Sequence, residues 1–193
     1  MTSVLSTCGS PDDAAAPSPF RLVPFPGDPV MEGLTITGDA ARHRDRLRLQ
    51  YRLDGPLEQL LLPEASACVR RLDDLWKSTC LECFLARPAE PGYWEVNIAP
   101  AGHWNVYRLE DYRRGLAPEP DAAPPALVRQ QSGSAFALAV ELVLPVALAQ
   151  APLLEVGITA VIAGRDGELS YWALRHPGEQ ADFHQRASFA LRL

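Results

Sequence analysis

The stretch Tyr93–Gly115, "YWEVNIAPAGHWNVYRLEDYRRG", contains five of the nine Trp and Tyr residues of the chain and has the pattern of two strands joined by a short turn. Neighbouring side chains of a strand point to opposite faces. One face of the first strand carries Trp94, Val96 and Ile98, and the other carries Tyr93, Glu95 and Asn97. The apolar set predicts a hairpin with that face in a hydrophobic core, so Trp94 is expected to be structural.

The turn "APAG" is compatible with two registers of the hairpin, which place Trp104 on different faces. In an even-loop register Trp104 lies opposite Asn97, and its indole joins the polar face. If Gly102 takes the left-handed conformation of a bulged turn, Trp104 lies opposite Ile98 and points into the core. Pro100 and Gly102 favour the bulged form. That register would place on the outer face the side chains of His103, Asn105 and Tyr107.

The same two-residue period recurs along the chain. The segments "RLRLQYRL" (46–53) and "SAFALAVELVL" (134–144) place apolar side chains at every second position, namely Leu47, Leu49, Tyr51, Leu53, Phe136, Leu138, Val140 and Leu142. Further candidate strands are "LTITG", "QLLLP", "TCLECFLA", "LLEVGITAVIAG", "GELSYWAL" and "SFALRL". Nine or ten short strands between Pro- and Gly-rich turns predict an all-β fold, an antiparallel β-sandwich with immunoglobulin-like or jelly-roll layers. One or two short helices are expected, the main candidate being "ACVRRLDDLWKS" (67–78).

Composition limits the domain count and the kinds of partner. The 193 residues suffice for one domain with a substantial core. Residues 1–19, rich in small residues, Pro and Asp, predict a disordered tail before a single domain over 20–193. The chain has no signal-peptide pattern and no apolar run of the roughly 20 residues that span a bilayer, so we expect a cytoplasmic protein without a membrane partner. The net charge of −6 argues against a nucleic acid partner.

The positions of the cysteines and histidines bear on whether the chain binds a metal or catalyses a reaction. In a strand, Cys80 and Cys83 point to opposite faces and cannot share a metal or form a disulfide. No phosphate loop, dinucleotide fingerprint or nucleophile elbow is present. We therefore expect no cofactor and no enzymatic activity. His176, Asp182 and His184 lie within nine positions, and they leave a metal-dependent enzyme as an alternative.

The segment "DDLWKSTCLECFLARPAEPGYWEVNIAPAGHWNVY" (73–107) resembles the family-nine carbohydrate-binding modules of the DOMON-like superfamily. The resemblance rests on Leu75-Trp76, on Glu82 six residues after the tryptophan, and on an Asn-x-x-Pro-x-Gly turn. The closing "SYWALRHPGEQADFHQRASF" (170–189) resembles a bacterial DOMON-like branch, and the likeness extends over roughly residues 20–193. It implies an antiparallel β-sandwich that binds its ligand without chemistry. Other DOMON domains bind haem through Met and His, but Met1 and Met31 are the only methionines, so no haem is expected.

In the sugar-binding family two tryptophans clamp a sugar ring, and polar side chains bond its hydroxyls. By this resemblance Trp76 and Glu82 are candidate ligand contacts, and Trp172 is the candidate second aromatic. The remaining candidates are His176, His184 and the aromatic–arginine pair Tyr112 and Arg113. These residues predict a non-catalytic domain whose ligand is a sugar, a glycan fragment or another small polar molecule. The alternative to a small-molecule site is a protein-interaction or structural domain in which the aromatics form the core and the outer face meets a protein partner.

Overall fold

Alternation of apolar and polar side chains yields a molecule built almost entirely of antiparallel strands. The computed structural model describes residues 16–29 and 32–193. Its strands are β1 (Ser18–Pro24), β2 (Thr35–His43), β3 (Arg46–Asp54), β4 (Cys80–Ala86), β5 (Tyr93–Ile98), β6 (Trp104–Leu109), β7 (Ala117–Pro118), β8 (Ala126–Ser132), β9 (Ala135–Val143), β10 (Glu155–Ala163), β11 (Leu169–Ala173) and β12 (Leu191–Arg192). The helical segments described are α1 (Val146–Ala149) and 3-10 turns at Leu57–Gln59, Leu75–Lys77 and Arg186–Ser188.

The strands form one curled sheet that packs against itself as two layers. Its order is β7-β6-β5-β4-β10-β11-β1-β2-β3-β9-β8, and β12 pairs with β10. The curl occurs at β1, which pairs with β2 through residues 18–22 and with β11 through Val23 and Pro24. The predicted all-β antiparallel sandwich is confirmed.

The main core fills the space between the two layers. The alternating residues of β3 and β9 that were predicted to point inward are all buried, at 2% exposure or less. They pack against the inward faces of β4, β5 and β10. The Tyr51 hydroxyl donates a 2.6 Å hydrogen bond to the Glu82 carbonyl oxygen, and this bond ties β3 directly to β4. The bond therefore holds β4 in place from the side of the main core.

The outward face of β4, β5, β6 and β10 is buried as well, beneath loops. A second hydrophobic cluster there includes Phe84, Tyr93 and Tyr107 of the strands together with Phe183 and Phe189 of the C-terminal segment. The register predicted for β6 is confirmed. Its outward-pointing residues Asn105 and Tyr107 do lie on the face opposite the core, but each is only 2% exposed because loops cover that face.

The Trp104 question is resolved in favour of the bulged turn. Gly102 has φ +96°, in the left-handed region, and Trp104 pairs with Ile98 and is 4% exposed in the main core. Trp94 also lies in that core. Cys80 and Cys83 occupy opposite faces of β4, in different hydrophobic clusters, and both are free thiols.

The helix predicted over residues 67–78 is wrong. The Trp104 amide donates to the Arg70 carbonyl at 3.2 Å, and the Leu72 amide donates to the Trp104 carbonyl at 3.0 Å, so this segment runs extended along β6. Asp74 then adopts φ +62°, which no right-handed helix accommodates. Only the 3-10 turn Leu75–Lys77 follows.

Segment boundaries also differ from the prediction. Strand β1 begins at Ser18, so the predicted tail 1–19 ends too late; residues 1–15 of that tail lie outside the described residues, as does Met31. "QLLLP" forms a single bridge, Leu60 to Gly164, instead of a strand, while β1 and β8 were not predicted. No helix in the described ranges is long and apolar enough to cross a membrane.

Candidate functional site

An open cleft of about 340 Å³ lies on the outward face of β4, β5 and β10. The 3-10 turn Leu75–Lys77 bounds one side, and the segments 109–116 and 181–184 bound the others. Its polar lining residues are Glu82, Glu95, Arg113 and His184, and its aromatic lining residues are Trp76, Phe84, Tyr171 and Phe183. The volume falls at the lower end of the range typical of small-molecule sites.

A row of polar residues crosses the sheet beneath this cleft. Thr159 of β10 lies opposite Glu82 of β4, Glu82 lies opposite Asn97 of β5, and Asn97 lies opposite Asn105 of β6. Directly opposite residues of antiparallel strands have their side chains on the same face. The two-residue period of each strand therefore combines with the register to build one continuous polar row.

Glu82 is the deepest carboxyl group of the cleft. Its side chain is 2% exposed, and its Oε2 accepts a 3.3 Å hydrogen bond from the Thr159 hydroxyl. Its Oε1 has no hydrogen-bond partner among the described residues. Burial, and then the nearby charge of Glu95, raise the pKa of Glu82 well above its ordinary value.

Glu95 lies on the next strand and completes a pair of buried carboxyl groups. It is 5% exposed, and its Oε1 accepts a 2.7 Å hydrogen bond from Asn97 Nδ2. Burial raises the pKa of Glu95, although the bond from Asn97 and the charge of Arg113 oppose the shift. Because two close carboxylates repel each other, the pair favours a state with one proton.

His184 stands at the wall of the cleft as a neutral imidazole. Its Nδ1 lies 2.8 Å from the Tyr93 hydroxyl, which accepts a 3.2 Å hydrogen bond from the Arg113 amide. Burial, and then the charge of Arg113, lower the pKa of His184 to about 4. Its Nε2 lies 4.0 Å from Glu95 Oε2. In the tautomer in which Nδ1 accepts from the Tyr93 hydroxyl, the imidazole proton resides on Nε2, the nitrogen nearer to that carboxyl group.

Tyr112, Arg113 and Asp182 form the rim. The Tyr112 hydroxyl donates to Asp182 Oδ2 at 2.6 Å, and the Arg113 guanidinium donates to Asp182 Oδ1 at 2.8 Å. Burial opposes the charge of Asp182, but these two bonds outweigh it and hold the pKa of Asp182 below its ordinary value. The rim thus joins the segment after β6 to the C-terminal segment.

Trp76 lines the cleft from the 3-10 turn and is held there by the sheet. Its ring meets the Tyr107 ring edge-on, with centroids 5.8 Å apart. The Tyr107 hydroxyl donates a 2.6 Å hydrogen bond to Asp73, and Asn105 Nδ2 donates to the same carboxylate at 3.0 Å. These bonds fix the backbone just before the turn and so orient a half-buried indole towards the cleft.

The structure brings together four of the seven residues predicted as ligand contacts. Trp76, Glu82, Arg113 and His184 line the cleft, and Tyr112 lies at its rim. Trp172 does not line it, which corrects its expected role as the second aromatic. Its indole is 3% exposed in the main core and donates to the Ser170 hydroxyl at 2.9 Å.

His176 does not line the cleft either. Its Nε2 lies 3.0 Å from the Val23 carbonyl oxygen, and its ring packs edge-on against Phe25. Asp182 accepts the hydrogen bonds of Tyr112 and Arg113 at the rim. Within residues 16–29 and 32–193, no three His, Cys, Asp or Glu side chains are arranged to hold a metal ion. The trio on which the alternative of a metal-dependent enzyme rested, His176, Asp182 and His184, is therefore not assembled.

Sequence reasoning missed several residues of the cleft, notably Glu95, Phe84, Tyr171 and Phe183. A signal for Glu95 was present, because strand alternation placed it on the polar face. For Tyr171 the alternation of "SYWAL" leaves two adjacent aromatics on opposite faces without saying which one points inward. Phe183 comes from a loop, and its position depends on contacts distant in sequence.

Comparison with solved structures finds proteins of similar fold. A proposed carbohydrate-binding protein of Bacteroides uniformis superposes with a TM-score of 0.61 at 13% identity, over 89% of this chain and 84% of that chain. A family 9 carbohydrate binding module of Caldicellulosiruptor kristjanssonii in complex with glucose gives a TM-score of 0.49 at 11% identity, over 85% and 78% of the two chains.

A family 9 carbohydrate binding module of the same organism in complex with cellotriose gives a TM-score of 0.45 at 10% identity, over 76% of this chain and 68% of that chain. At 13% identity the first likeness concerns the fold alone, and the two lower scores add nothing to it. No protein-family model matches the chain, and no curated protein matches its sequence.

Proposed function

We propose that this domain binds a carbohydrate in the cleft without catalysing a reaction. The observation that carries the proposal is the convergence of the half-buried Trp76 with two buried carboxyl groups, Glu82 and Glu95, on one open cleft. A sugar ring has apolar C–H faces and polar hydroxyl edges. An aromatic face and buried acceptors at the same site match those two features.

In this proposal the sugar ring lies against Trp76, and its hydroxyls donate to Glu82 and Glu95 from the open side. Phe84, Tyr171 and Phe183 add apolar lining to the same cleft. The fold likeness to a proposed carbohydrate-binding protein agrees with this arrangement. The proposal includes the DOMON-like assignment suggested by the sequence.

A protein-interaction role with every aromatic in the core fits the molecule less well. Trp94, Trp104 and Trp172 are core residues, at 4% exposure or less, whereas Trp76 is only half-buried and lines a concave surface. Concave sites with a few convergent polar groups are typical of small-molecule binding.

Calorimetric titration with a panel of neutral and amino sugars, hexoses and pentoses, tests the proposal. Trp76→Ala is expected to weaken sugar binding by about tenfold, because the stacking surface is lost. Lys77→Ala is the matched control, since it removes an exposed side chain from the same 3-10 turn. Sugar affinity equal to wild type in Trp76→Ala, or no binding by any sugar of the panel, would refute the proposal.

A further inference from the structure

Two buried oxygen atoms at the cleft lack a hydrogen-bond partner within the described part of the chain: one is on Glu82, which lines the cleft, and the other is on Asn97, its partner on the next strand. Glu82 Oε1 and Asn97 Oδ1 make no hydrogen bond to the described residues. The two residues lie directly opposite each other on β4 and β5, so both atoms belong to one small region. Leaving buried acceptors unpaired costs free energy. A ligand group that donates a hydrogen bond in this region therefore pairs an oxygen that the fold leaves without a partner.

The charges around this region favour a donor that is also cationic. No cation of the described residues is within hydrogen-bond distance of Glu82 or Glu95. The Arg113 guanidinium is turned to Asp182 at 2.8 Å, and His184 is neutral near pH 7 because the pKa of His184 is lowered to about 4. Two carboxyl groups thus face the cleft with no positive charge bonded to them.

The walls of the cleft suit a cation as well as a sugar ring. Trp76, Phe84 and Phe183 line it together with the two carboxyl groups. Aromatic faces attract cations through the ring quadrupole, tryptophan most strongly. Buried carboxylates, in turn, form their strongest hydrogen bonds with charged N–H donors.

We propose that the cleft selects sugars that carry a free amino group, whose ammonium donates to Glu82 and Glu95. This inference rests on the proposed function and narrows its ligand class to hexosamines and their oligomers. The incoming ammonium replaces the proton shared by the carboxyl pair, and that proton leaves to solvent. A neutral hexose makes no such exchange, so it binds with the carboxyl pair still protonated.

Calorimetric titration with matched sugars tests the inference: glucosamine against glucose and N-acetylglucosamine, and galactosamine against galactose. We expect the better of the two amino sugars to bind about tenfold tighter than its neutral counterpart at about pH 7. Repeating the titration in two buffers with different ionisation enthalpies should detect the release of about one proton for the amino sugar and none for the neutral sugar.

Glu82→Gln is the decisive variant, and Glu168→Gln, on an exposed turn, is its control. Glu82→Gln should abolish the amino-sugar preference, while Glu168→Gln should keep it. Equal affinities for amino and neutral sugars in the wild type would overturn this inference and leave the proposed function standing. Binding of none of the five sugars would overturn both. Amino-sugar binding without proton release would also contradict the mechanism. Proton release is measured on the wild type, so this test does not depend on whether Glu82→Gln folds.

Discussion

Replacing Glu82 by glutamine should stabilise the protein, and the gain should grow with pH. An ordinary glutamate has a pKa of about 4.5, whereas that of Glu82 is raised well above it by burial and by Glu95. Between the ordinary pKa and the raised one, the folded protein retains a proton that the unfolded chain has released. The free energy of unfolding therefore falls as pH rises through that window.

The magnitude follows from the protonation equilibrium. For a carboxyl group that stays neutral in the fold, each pH unit above its ordinary pKa lowers the free energy of unfolding by about 1.4 kcal/mol. At about pH 7 the upper limit of this decrease, reached when Glu82 keeps its proton in the fold, is about 3 kcal/mol. Glutamine has the shape of the protonated acid and does not titrate, so Glu82→Gln should be more stable than wild type by up to that amount. Near pH 4.5 the two proteins should differ little.

Urea unfolding from about pH 4.5 to about pH 7.5 measures this difference, with Glu168→Gln as the exposed control. The control should show no pH-dependent gain. The reasoning is refuted if the stability difference between Glu82→Gln and wild type stays constant with pH, or if it shrinks as pH rises. Either result would mean that Glu82 ionises as readily in the fold as in the unfolded chain.

Three further predictions concern other parts of the molecule. As pH falls from 6.5 to about 4, the wild type should lose up to about 3 kcal/mol of its free energy of unfolding, because the unfolded chain protonates His184 before the folded protein does. His184→Gln should not show this loss in urea unfolding; a pH profile equal to that of the wild type would contradict the prediction. Gly38→Ala should lower stability by about 3 kcal/mol in thermal unfolding, since a Cβ there would lie 1.8 Å from the Gln50 carbonyl oxygen; a melting temperature equal to wild type would be the wrong outcome. Tyr107→Phe removes the 2.6 Å bond to Asp73 and should weaken sugar binding several-fold in calorimetry; unaltered affinity would show that this bond does not position the turn.

Strand faces could be predicted from sequence because they depend on local alternation. The β3 pattern placed Leu47, Leu49, Tyr51 and Leu53 inward, and all four are buried. The register of the hairpin was also accessible, because the conformation of Gly102 decides it locally. In such cases the information lies within a few residues of the element concerned.

The helix over residues 67–78 failed for the opposite reason. Its apolar and polar spacing is compatible with helical turns, but the backbone of Arg70 and Leu72 bonds to Trp104, more than 30 residues away. The sequence pattern of residues 67–78 does not show that a distant strand competes for their backbone hydrogen bonds. The short 3-10 turn that remains is the part next to Asp74, where the chain reverses direction.

The candidate site was predictable in part. The resemblance pointed to Trp76 and Glu82, and the structure places both in one cleft. It did not indicate that loops bury the outer face, on which Asn105 and Tyr107 were predicted to lie. Trp172 was chosen over Tyr171 because of its residue type, whereas the pairing of β11 with β10 decides which of the two points outward.

The indole N–H resonances of the tryptophans test the sugar-binding claim most directly. In a ¹H–¹⁵N spectrum, Trp94 and Trp172 report on the core through their bonds to Glu119 and Ser170, while Trp76 reports on the cleft. On titration with amino and neutral hexoses, the Trp76 resonance should shift to saturation while the other two stay nearly fixed. A Trp76 resonance that remains in place at saturating concentrations of every sugar would contradict the account.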